Sequence, residues 1–181
     1  MSGQGPVEEL GSDLVHKGRI FDVVRQHLRL PSGLEQQVEV VVHSGAVGIA
    51  ALDEQGRLVL VRQYRPPARQ WLLEIPAGRV EVGEDRLAAA QRELEEETGW
   101  RARRWQLLRE FYPAPGFCSE LLSLYLAQDL HPAGDQRRAH DEDEEFELAH
   151  ASPEELLLHA TDAKTLIAAA LIRERRAQGL L

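Results

Sequence analysis

The sequence predicts an α+β fold in which helices pack on mixed or antiparallel sheets. Strand patterns dominate the first half of the chain, one clear helix lies in the middle, and helices close the chain. This order of elements is typical of α+β proteins. The length of 181 residues fits one domain, and a hydrophobic content of 43% is enough for a sizeable core.

The strands are identified by their apolar patterns. Residues 19–30 form the first predicted strand, and the alternating residues 37–44 form its partner. The continuous apolar run over residues 46–52 indicates a strand buried on both faces. Residues 1–16 are predicted to be an arm. Further strands are predicted over residues 57–65, 71–78, 103–112 and 121–128.

The central helix is identified by its spacing. It is predicted from about Glu84 to Thr98, and Gly99 suits the position that follows a helix end. Its core-facing positions are expected at i, i+3, i+4 and i+7, with the third at the margin of the core: Leu87, Ala90, Gln91 and Leu94.

Two helices are predicted near the C-terminus. Ser152 as N-cap, Pro153 at the first position and Glu155 at the third form a capping box. The final helix is predicted from about Asp162 to Gln178, and it is expected to end at Gly179.

Charge and cysteine content exclude several classes of function. A net charge of −9 argues against a general binder of nucleic acids or membrane surfaces. A small phosphate-bearing substrate is still compatible, because a bound divalent cation can reverse the local field. Cys118 is the only cysteine, so neither an internal disulfide nor a cysteine cluster for zinc is expected. The single thiol, the polar N-terminus and the lack of an apolar run of ~20 residues favour a cytoplasmic protein.

The stretch "RELEEETG" places four glutamates at the end of the central helix. At about 100° per residue, Glu97 lies about 40° from Glu93, and Glu96 lies about 60° to the other side. These three carboxylates therefore share one face. Glu95 points roughly the opposite way and is expected to face solvent. Arg92 lies one turn before Glu96 and can orient its carboxylate.

This crowding of negative charge has two explanations. Neighbouring like charges repel, and carboxylates near a helix C-terminus oppose the macrodipole. The patch is either a solvated acidic surface, which predicts no metal affinity, or a binding site for a cation. Magnesium and manganese prefer such hard oxygen ligands and keep waters that substrate phosphates can replace.

The wider spacing favours the cation site. From Gly78 the sequence reads "GRVEVGEDRLAAAQRELEEETGW". Its defining positions are a first glycine, Glu84, an Arg-Glu-Leu triplet, a Glu-Glu pair and a second glycine. This pattern resembles the Nudix box, the signature of the Nudix hydrolases, at every fixed position. Trp100 is the mild departure, because an aliphatic residue is usual there. The resemblance implies a mixed sheet sandwiched between helices (α/β/α) and hydrolysis of a nucleoside diphosphate linked to another group.

The resemblance also implies the roles of residues in and beside the box. The implied metal ligands are Glu93, Glu96, Glu97 and the carbonyl of Ala77, and catalytic roles are implied for Glu96 and Glu97. Glu84 is implied as an outer member of the site or as a carboxylate favoured at the helix start. Structural roles are implied for Gly78, Arg92 and Gly99.

Three other stretches narrow the resemblance to the ADP-ribose pyrophosphatase subfamily. Pro115 follows Gly99 by sixteen residues, "VRQYRPP" and "WLLEIPAG" precede the box, and the acidic run "HDEDEEFEL" occupies the place of a glutamate loop. By this resemblance Glu142 is the base or water-orienting group and Glu144 a further metal ligand. Glu120, an acidic residue of the proline loop, is the alternative base. The implied substrate contacts are Arg65, Arg19, Ile20, Glu39, Gly116 and Phe117.

The resulting prediction is metal-dependent hydrolysis of ADP-ribose to AMP and ribose 5-phosphate. The resemblance implies two or three Mg²⁺ ions, with Mn²⁺ possible, and a homodimer with exchanged N-terminal strands. It divides the chain into residues 1–44, which complete the substrate pocket and the dimer, and residues 45–181, with the box at 78–100. A pyrophosphatase for another nucleotide sugar, such as GDP-mannose, and a non-catalytic Nudix regulator are the alternatives. The intact box argues against the regulator.

Overall fold

A computed structural model describes residues 5–134 and 147–181, which form ten strands and three helices. The strands are β1 (Glu8–Lys17), β2 (Asp22–Arg29), β3 (Glu35–Val42), β4 (Ala46–Ala51), β5 (Leu58–Arg65), β6 (Gln70–Glu74), β7 (Ala77–Arg79), β8 (Trp100–Phe111), β9 (Leu122–Pro132) and β10 (Glu147–Ala151). The helices are α1 (Arg86–Thr98), α2 (Pro153–His159) and α3 (Ala163–Ala177). Across the described ranges, no helix is both long and apolar enough to span a membrane.

The described strands form three sheets. The N-terminal sheet has the order β1-β2-β3, a second has the order β10-β5-β6, and a four-stranded sheet has the order β7-β4-β9-β8. The pairing of β4 with β9 is parallel, and the pairings on either side of it are antiparallel. The mixed sheet predicted from the sequence is therefore confirmed.

Strand β4 places side chains in both hydrophobic cores, as its unbroken apolar run predicts. One core joins alternate β4 residues to α1: Val47, Ile49, Ala51, Ala89, Ala90 and Leu94. The other joins the intervening residues to α3: Ala46, Ala50, Ala168, Ala169 and Ile172. Helices α1 and α3 therefore cover opposite faces of the sheet, which confirms the α/β/α sandwich. Full burial of each large aliphatic side chain contributes about 1.5–3 kcal/mol.

The prediction of an N-terminal arm over residues 1–16 is wrong from residue 8 onwards. Strand β1 occupies Glu8–Lys17 and pairs antiparallel with β2. Every residue of β1 is exposed, so no buried face produces an alternating pattern in the sequence. The strand is held by its backbone ladder and by an ion pair of 2.8 Å between Glu8 and Arg29.

The predicted strand over residues 71–78 is two strands that belong to different sheets. β6 ends at Glu74 in the second sheet, and β7 begins at Ala77 in the four-stranded sheet. Pro76 lies between them and has no N–H to donate. Its carbonyl accepts a hydrogen bond of 2.8 Å from the Ile49 N–H of β4, which turns the chain towards the other sheet.

The central helix begins two residues later than predicted. Asp85 is its N-cap, and its carboxylate accepts hydrogen bonds from the N–H groups of Leu87 and Ala88. Gly99 ends the helix in the left-handed conformation at φ 72°, as predicted. Gln91 is exposed instead of lying at the core margin, because the buried apolar face is centred on Ala89, Ala90 and Leu94.

The predicted capping box and last helix are both present. Ser152 accepts from the Glu155 N–H, and the Glu155 carboxylate accepts from the Ser152 N–H. Asp162 caps α3 by accepting from the N–H of Thr165 at 3.0 Å and from its hydroxyl at 2.6 Å. The same hydroxyl oxygen accepts a buried hydrogen bond of 2.9 Å from the Ile75 N–H, which joins α3 to the end of β6.

We expect Thr165→Val to lower the free energy of unfolding by about 1–3 kcal/mol, because the buried Ile75 N–H loses its acceptor. Thr165→Ser is the matched control, since it keeps the hydroxyl and removes only a methyl group. Urea denaturation of the two variants and the wild type measures the difference. No loss in Thr165→Val would show that the hydroxyl group does not stabilise this junction, and a loss in Thr165→Ser alone would assign the stabilisation to packing of the methyl group.

Candidate active site

The glutamate face of α1 lines a cleft of about 1000 Å³. Helical spacing places Glu93, Glu96 and Glu97 on this side, as the sequence predicts. The walls are completed by β7 and by the turn that joins β1 to β2, which contains Arg19 and Ile20. The cleft therefore brings the carboxylates of the box beside two of the predicted substrate residues.

Arg92 holds two of these carboxylates in place. Its Nη1 donates to Glu93 Oε1 at 2.7 Å and to Glu96 Oε2 at 2.9 Å. Its Nε and Nη2 donate to the two oxygens of Glu84 at 3.0 and 3.1 Å, and Nη2 also reaches the Arg79 carbonyl at 3.0 Å. The hydrogen bond to Glu84 and the charge of Glu93 outweigh burial and raise the pKa of Arg92, so this guanidinium stays charged.

The contact between Arg92 and Glu96 is the one expected from helical spacing. The contact with Glu84 was not predicted, and it gives that residue a physical role outside the metal patch. Glu84 also accepts from the Glu81 N–H at 3.0 Å, so it ties the loop before α1 to Arg92.

Glu97 connects α1 to the start of β7. The residue is 7% exposed, and Oε2 accepts a hydrogen bond of 3.1 Å from the Ala77 N–H. This bond sets the Glu97 carboxylate against the residue whose carbonyl is the predicted backbone ligand. The two parts of the predicted metal site thus belong to one hydrogen-bonded unit.

Gly78 is required because of a close approach of Glu93. A Cβ at this position would lie 2.0 Å from Cδ and Oε1 of Glu93 and 2.4 Å from Oε2. The Glu93 carboxylate therefore occupies the space that any other side chain would fill. Only glycine at position 78 leaves the carboxylate in this place.

The prediction that Glu95 faces solvent is wrong. Glu95 does lie away from the cleft, but it is only 6% exposed. Its two oxygens accept from Nε and Nη2 of Arg101, each at 2.8 Å. Helical spacing gave the direction of the side chain correctly, whereas β8 supplies a partner that periodicity within α1 does not reveal.

The donor set fits a divalent cation that prefers oxygen. Three carboxylates line the cleft, the Ala77 N–H donates to one of them from the adjoining smaller cavity, and hard oxygen ligands suit Mg²⁺ or Mn²⁺. Within residues 5–134 and 147–181, no three His, Cys, Asp or Glu side chains already converge as a metal site. Two of the carboxylates are instead bridged by Arg92, so a cation would share them with this guanidinium.

Arg65 lies where the cleft meets a smaller cavity of about 230 Å³. Its Nε and Nη2 donate to the two oxygens of Glu74 at 2.7 and 2.8 Å. Glu120 lines the same smaller cavity, with Oε1 3.8 Å from His43 Nδ1. Glu74 and His43 were not predicted as site residues. A charged residue within the apolar "WLLEIP" was the available signal for Glu74.

Other predicted substrate residues lie away from the cleft in this chain. Glu39 is on β3 and makes an ion pair of 2.9 Å with Arg25 of β2. Pro115 follows Ala114 in a turn, and the Phe117 N–H donates to the Ala114 carbonyl at 3.2 Å. The Phe117 carbonyl accepts from the Val41 N–H at 2.8 Å, which joins this loop, including Gly116, to the N-terminal sheet. Glu142 and Glu144 lie outside the described residues.

Comparison with known proteins decides the family. The family model described as NUDIX domain matches residues 42–171. The chain belongs to the Nudix family. Nudix hydrolases generally need a divalent metal ion, in agreement with the carboxylate cleft. The family predicted from the box is confirmed, and the chain is a Nudix hydrolase.

Several known proteins are similar to most of the chain. An ADP-ribose pyrophosphatase from Bacillus subtilis is 35% identical over 164 residues, 88% of each protein. One from Mycobacterium tuberculosis is 41% identical over 136 residues, 75% of this chain and 66% of that protein. A methanol dehydrogenase activator from Bacillus methanolicus is 36% identical over 87% of each. The crystal structure of an ADP compounds hydrolase superposes with a TM-score of 0.84, covering both chains completely at 26% identity.

Proposed function

We propose that this Nudix hydrolase cleaves the diphosphate bond of ADP-ribose and releases AMP and ribose 5-phosphate. The observation that supports the proposal most is the cleft of about 1000 Å³, which is lined both by the box carboxylates and by Arg65. Such a cleft can take a nucleotide sugar with its negative diphosphate between the metal site and a cation. The names of the relatives from Bacillus subtilis and Mycobacterium tuberculosis point to the same substrate.

The reaction is hydrolysis without a covalent enzyme intermediate. A water oxygen attacks one phosphorus, the bond from that phosphorus to the bridging oxygen breaks, and the proton of the water passes to a base. Glu93, Glu96, Glu97 and the Ala77 carbonyl would hold two or three divalent ions, Mg²⁺ or Mn²⁺. When bound, such ions neutralise developing charge and lower the pKa of water.

The chain's own residues supply the orientation. Arg92 keeps the Glu93 and Glu96 carboxylates on the cleft side of α1. Arg65 offers a charged donor to the diphosphate or ribose. The assignment of Glu142 as the group that orients the water, and of Glu144 as a further ligand, stays a prediction from the sequence. Glu120, which borders the smaller cavity beside Arg65, is the alternative base.

The N-terminal sheet supports a proposal about assembly. We propose that residues 1–44 mediate a homodimer and complete the pocket around the predicted adenosine end of the substrate. Several large apolar side chains of this sheet and its turns are 40–60% exposed: Leu10, Leu14, Val15, Ile20, Phe21 and Leu34. Light scattering on the intact protein measures the mass, and a monomer at micromolar concentration would contradict the dimer.

A cytoplasmic location stays a prediction.

A substrate panel tests the proposed activity. ADP-ribose, other ADP-sugars and GDP-mannose are incubated separately with Mg²⁺ and Mn²⁺, and the products are identified by mass. We expect ADP-ribose to have the highest kcat/KM and to yield AMP and ribose 5-phosphate. Preference for GDP-mannose would favour the other nucleotide-sugar activity. Tight binding of ADP-ribose without metal-dependent turnover would favour a non-catalytic regulator.

We expect Arg65→Ala to raise the KM for ADP-ribose by about 10-fold to 100-fold, since a charge-assisted contact contributes roughly 1.5–3 kcal/mol. Mn²⁺ affinity is expected to change little, because the hydrogen bonds of Arg65 Nε and Nη2 go to Glu74, which is not one of the predicted metal ligands. The control is Arg62→Ala on the same strand, where the guanidinium pairs with Glu147 at 3.1 Å. Loss of Mn²⁺ affinity with an unchanged KM would show that Arg65 supports the metal site instead.

A further inference from the structure

A buried carboxylate lies behind Arg65 and has no part in the reaction proposed above. Glu74, the last residue of β6, is 1% exposed. Arg65 contacts both of its oxygens, and the Lys164 ammonium contacts Oε2 as well. Burial alone would raise the pKa of Glu74, but the hydrogen bonds and charges of these two cations outweigh burial and lower it. Glu74 is therefore a fully paired anion between two cations.

The contact between Glu74 and Arg65 fixes the orientation of the guanidinium. Two parallel hydrogen bonds hold the plane of an arginine, whereas one bond leaves it free to rotate. They occupy the edge formed by Nε and Nη2. Among the described residues, Nη1 has no hydrogen-bond partner, and the side chain keeps 40% of its surface exposed. The unused N–H groups of Arg65 therefore remain available where the cleft and the smaller cavity meet.

The other side of Glu74 is anchored to α3. Lys164 pairs with Asp162 at 3.1 Å, and Asp162 is the N-cap of α3. Thr165 completes the anchor, because its hydroxyl accepts from the Ile75 N–H next to Glu74. Helix α3 is packed in the core through Ala168, Ala169 and Ile172. The position of Glu74 is thus set by a rigid element.

We propose that Glu74, anchored by Lys164 at the start of α3, is a positioning residue that presents the Arg65 guanidinium to the diphosphate sugar. This inference rests on the proposed function, in which Arg65 contacts the substrate. A buried ion pair contributes little net stability to a fold, since burying charges costs several kcal/mol and apolar side chains in the same place are often as stable. The ion pair between Glu74 and Arg65 is explained if substrate binding requires the Arg65 guanidinium to be held in one direction.

A double-mutant cycle separates positioning from a purely structural contact. The variants are Glu74→Gln, Arg65→Ala and the two combined, and Gln keeps the size of the side chain while presenting an amide NH₂ to one of the cations. We expect Glu74→Gln alone to raise the KM for ADP-ribose and the Kd of a non-hydrolysable ADP-ribose analogue about tenfold. The kcat is expected to stay within about threefold. In the Arg65→Ala background, the same change is expected to have less than a twofold effect.

The outcomes are distinguishable. A tenfold increase in both backgrounds would show that Glu74 acts independently of Arg65 and would overturn the inference. A wild-type protein without ADP-ribose turnover would overturn the proposed function and the inference with it, whereas turnover with independent effects overturns the inference alone. If Glu74→Gln does not fold, Lys164→Met replaces it in the cycle. We then expect about a threefold rise in KM that disappears when Arg65 is Ala, and an equal rise in both backgrounds would contradict the positioning role.

Discussion

Replacing Glu93 or Glu97 by Gln is expected to lower kcat by at least about 10³, which corresponds to about 4 kcal/mol of transition-state stabilisation. Each change removes one negative charge and one oxygen donor from the side of α1 that faces the cleft. The helix itself is expected to persist, because its core contacts come from Ala89, Ala90 and Leu94. Steady-state kinetics with ADP-ribose, together with Mn²⁺ binding by calorimetry, measures the effect.

Glu95→Gln is the matched control, because it makes the same chemical change in the same helix. Glu95 faces away from the cleft and pairs with Arg101 at 2.8 Å. We expect kcat to stay within about threefold and the melting temperature to fall, since a nearly buried carboxylate loses its charged contact. A loss of kcat in Glu95→Gln as large as in the other two variants would contradict the assignment of one functional face.

The direction of each glutamate could be predicted from the sequence, because helical geometry depends only on residue spacing. The surroundings of each glutamate could not. Glu95 is covered because Arg101 of β8 folds back over it, and Glu97 is bound by the Ala77 N–H twenty residues earlier in the chain. Such partners belong to other elements, and only the packing of those elements brings them together.

The dependence on packing between elements also explains why parts of the fold were predicted wrongly. The buried strand β4 was predictable, because both of its faces lie in a core and its sequence is continuously apolar. Strand β1 was not, because its residues are exposed and its backbone pairing leaves no mark in the hydrophobic pattern. The division between β6 and β7 depends on Pro76 and on its contact with β4, which a single apolar run does not reveal.

The pairing of Arg65 with Glu74 shows how the site extends beyond the family motif. Arg65 was predicted from a resemblance, whereas its buried partner and the link to Lys164 appear only in three dimensions. The two carboxylate contacts of Arg65 join neighbouring strands of one sheet, and the lysine comes from a helix ninety residues later. Sequence spacing identifies the groups that meet the substrate, and tertiary packing identifies the groups that hold them.

Gly78→Ala is expected to lower kcat by at least about 10² with little change in stability. The added Cβ would overlap the Glu93 carboxylate, which lies 2.0–2.4 Å from that position. A carboxylate at the end of a flexible side chain can rotate away at low cost, so the fold is expected to tolerate the change. The rotation, however, removes Glu93 from the place where Arg92 holds it at 2.7 Å, and the predicted metal site loses a ligand. Kinetics and Mn²⁺ calorimetry measure the loss.

Gly11→Ala is the control for the Gly78 variant, because no atom lies within 4 Å of the Cβ that it would add to the exposed strand β1. We expect it to leave kcat and Mn²⁺ affinity within about twofold of the wild type. Raising the Mn²⁺ concentration should partly restore turnover in Gly78→Ala, because a site with a displaced ligand binds more weakly but keeps Glu96 and Glu97. Normal Mn²⁺ affinity with normal kcat in Gly78→Ala would show that the Glu93 carboxylate can leave its place without consequence, and Glu93 would then have no part in the site.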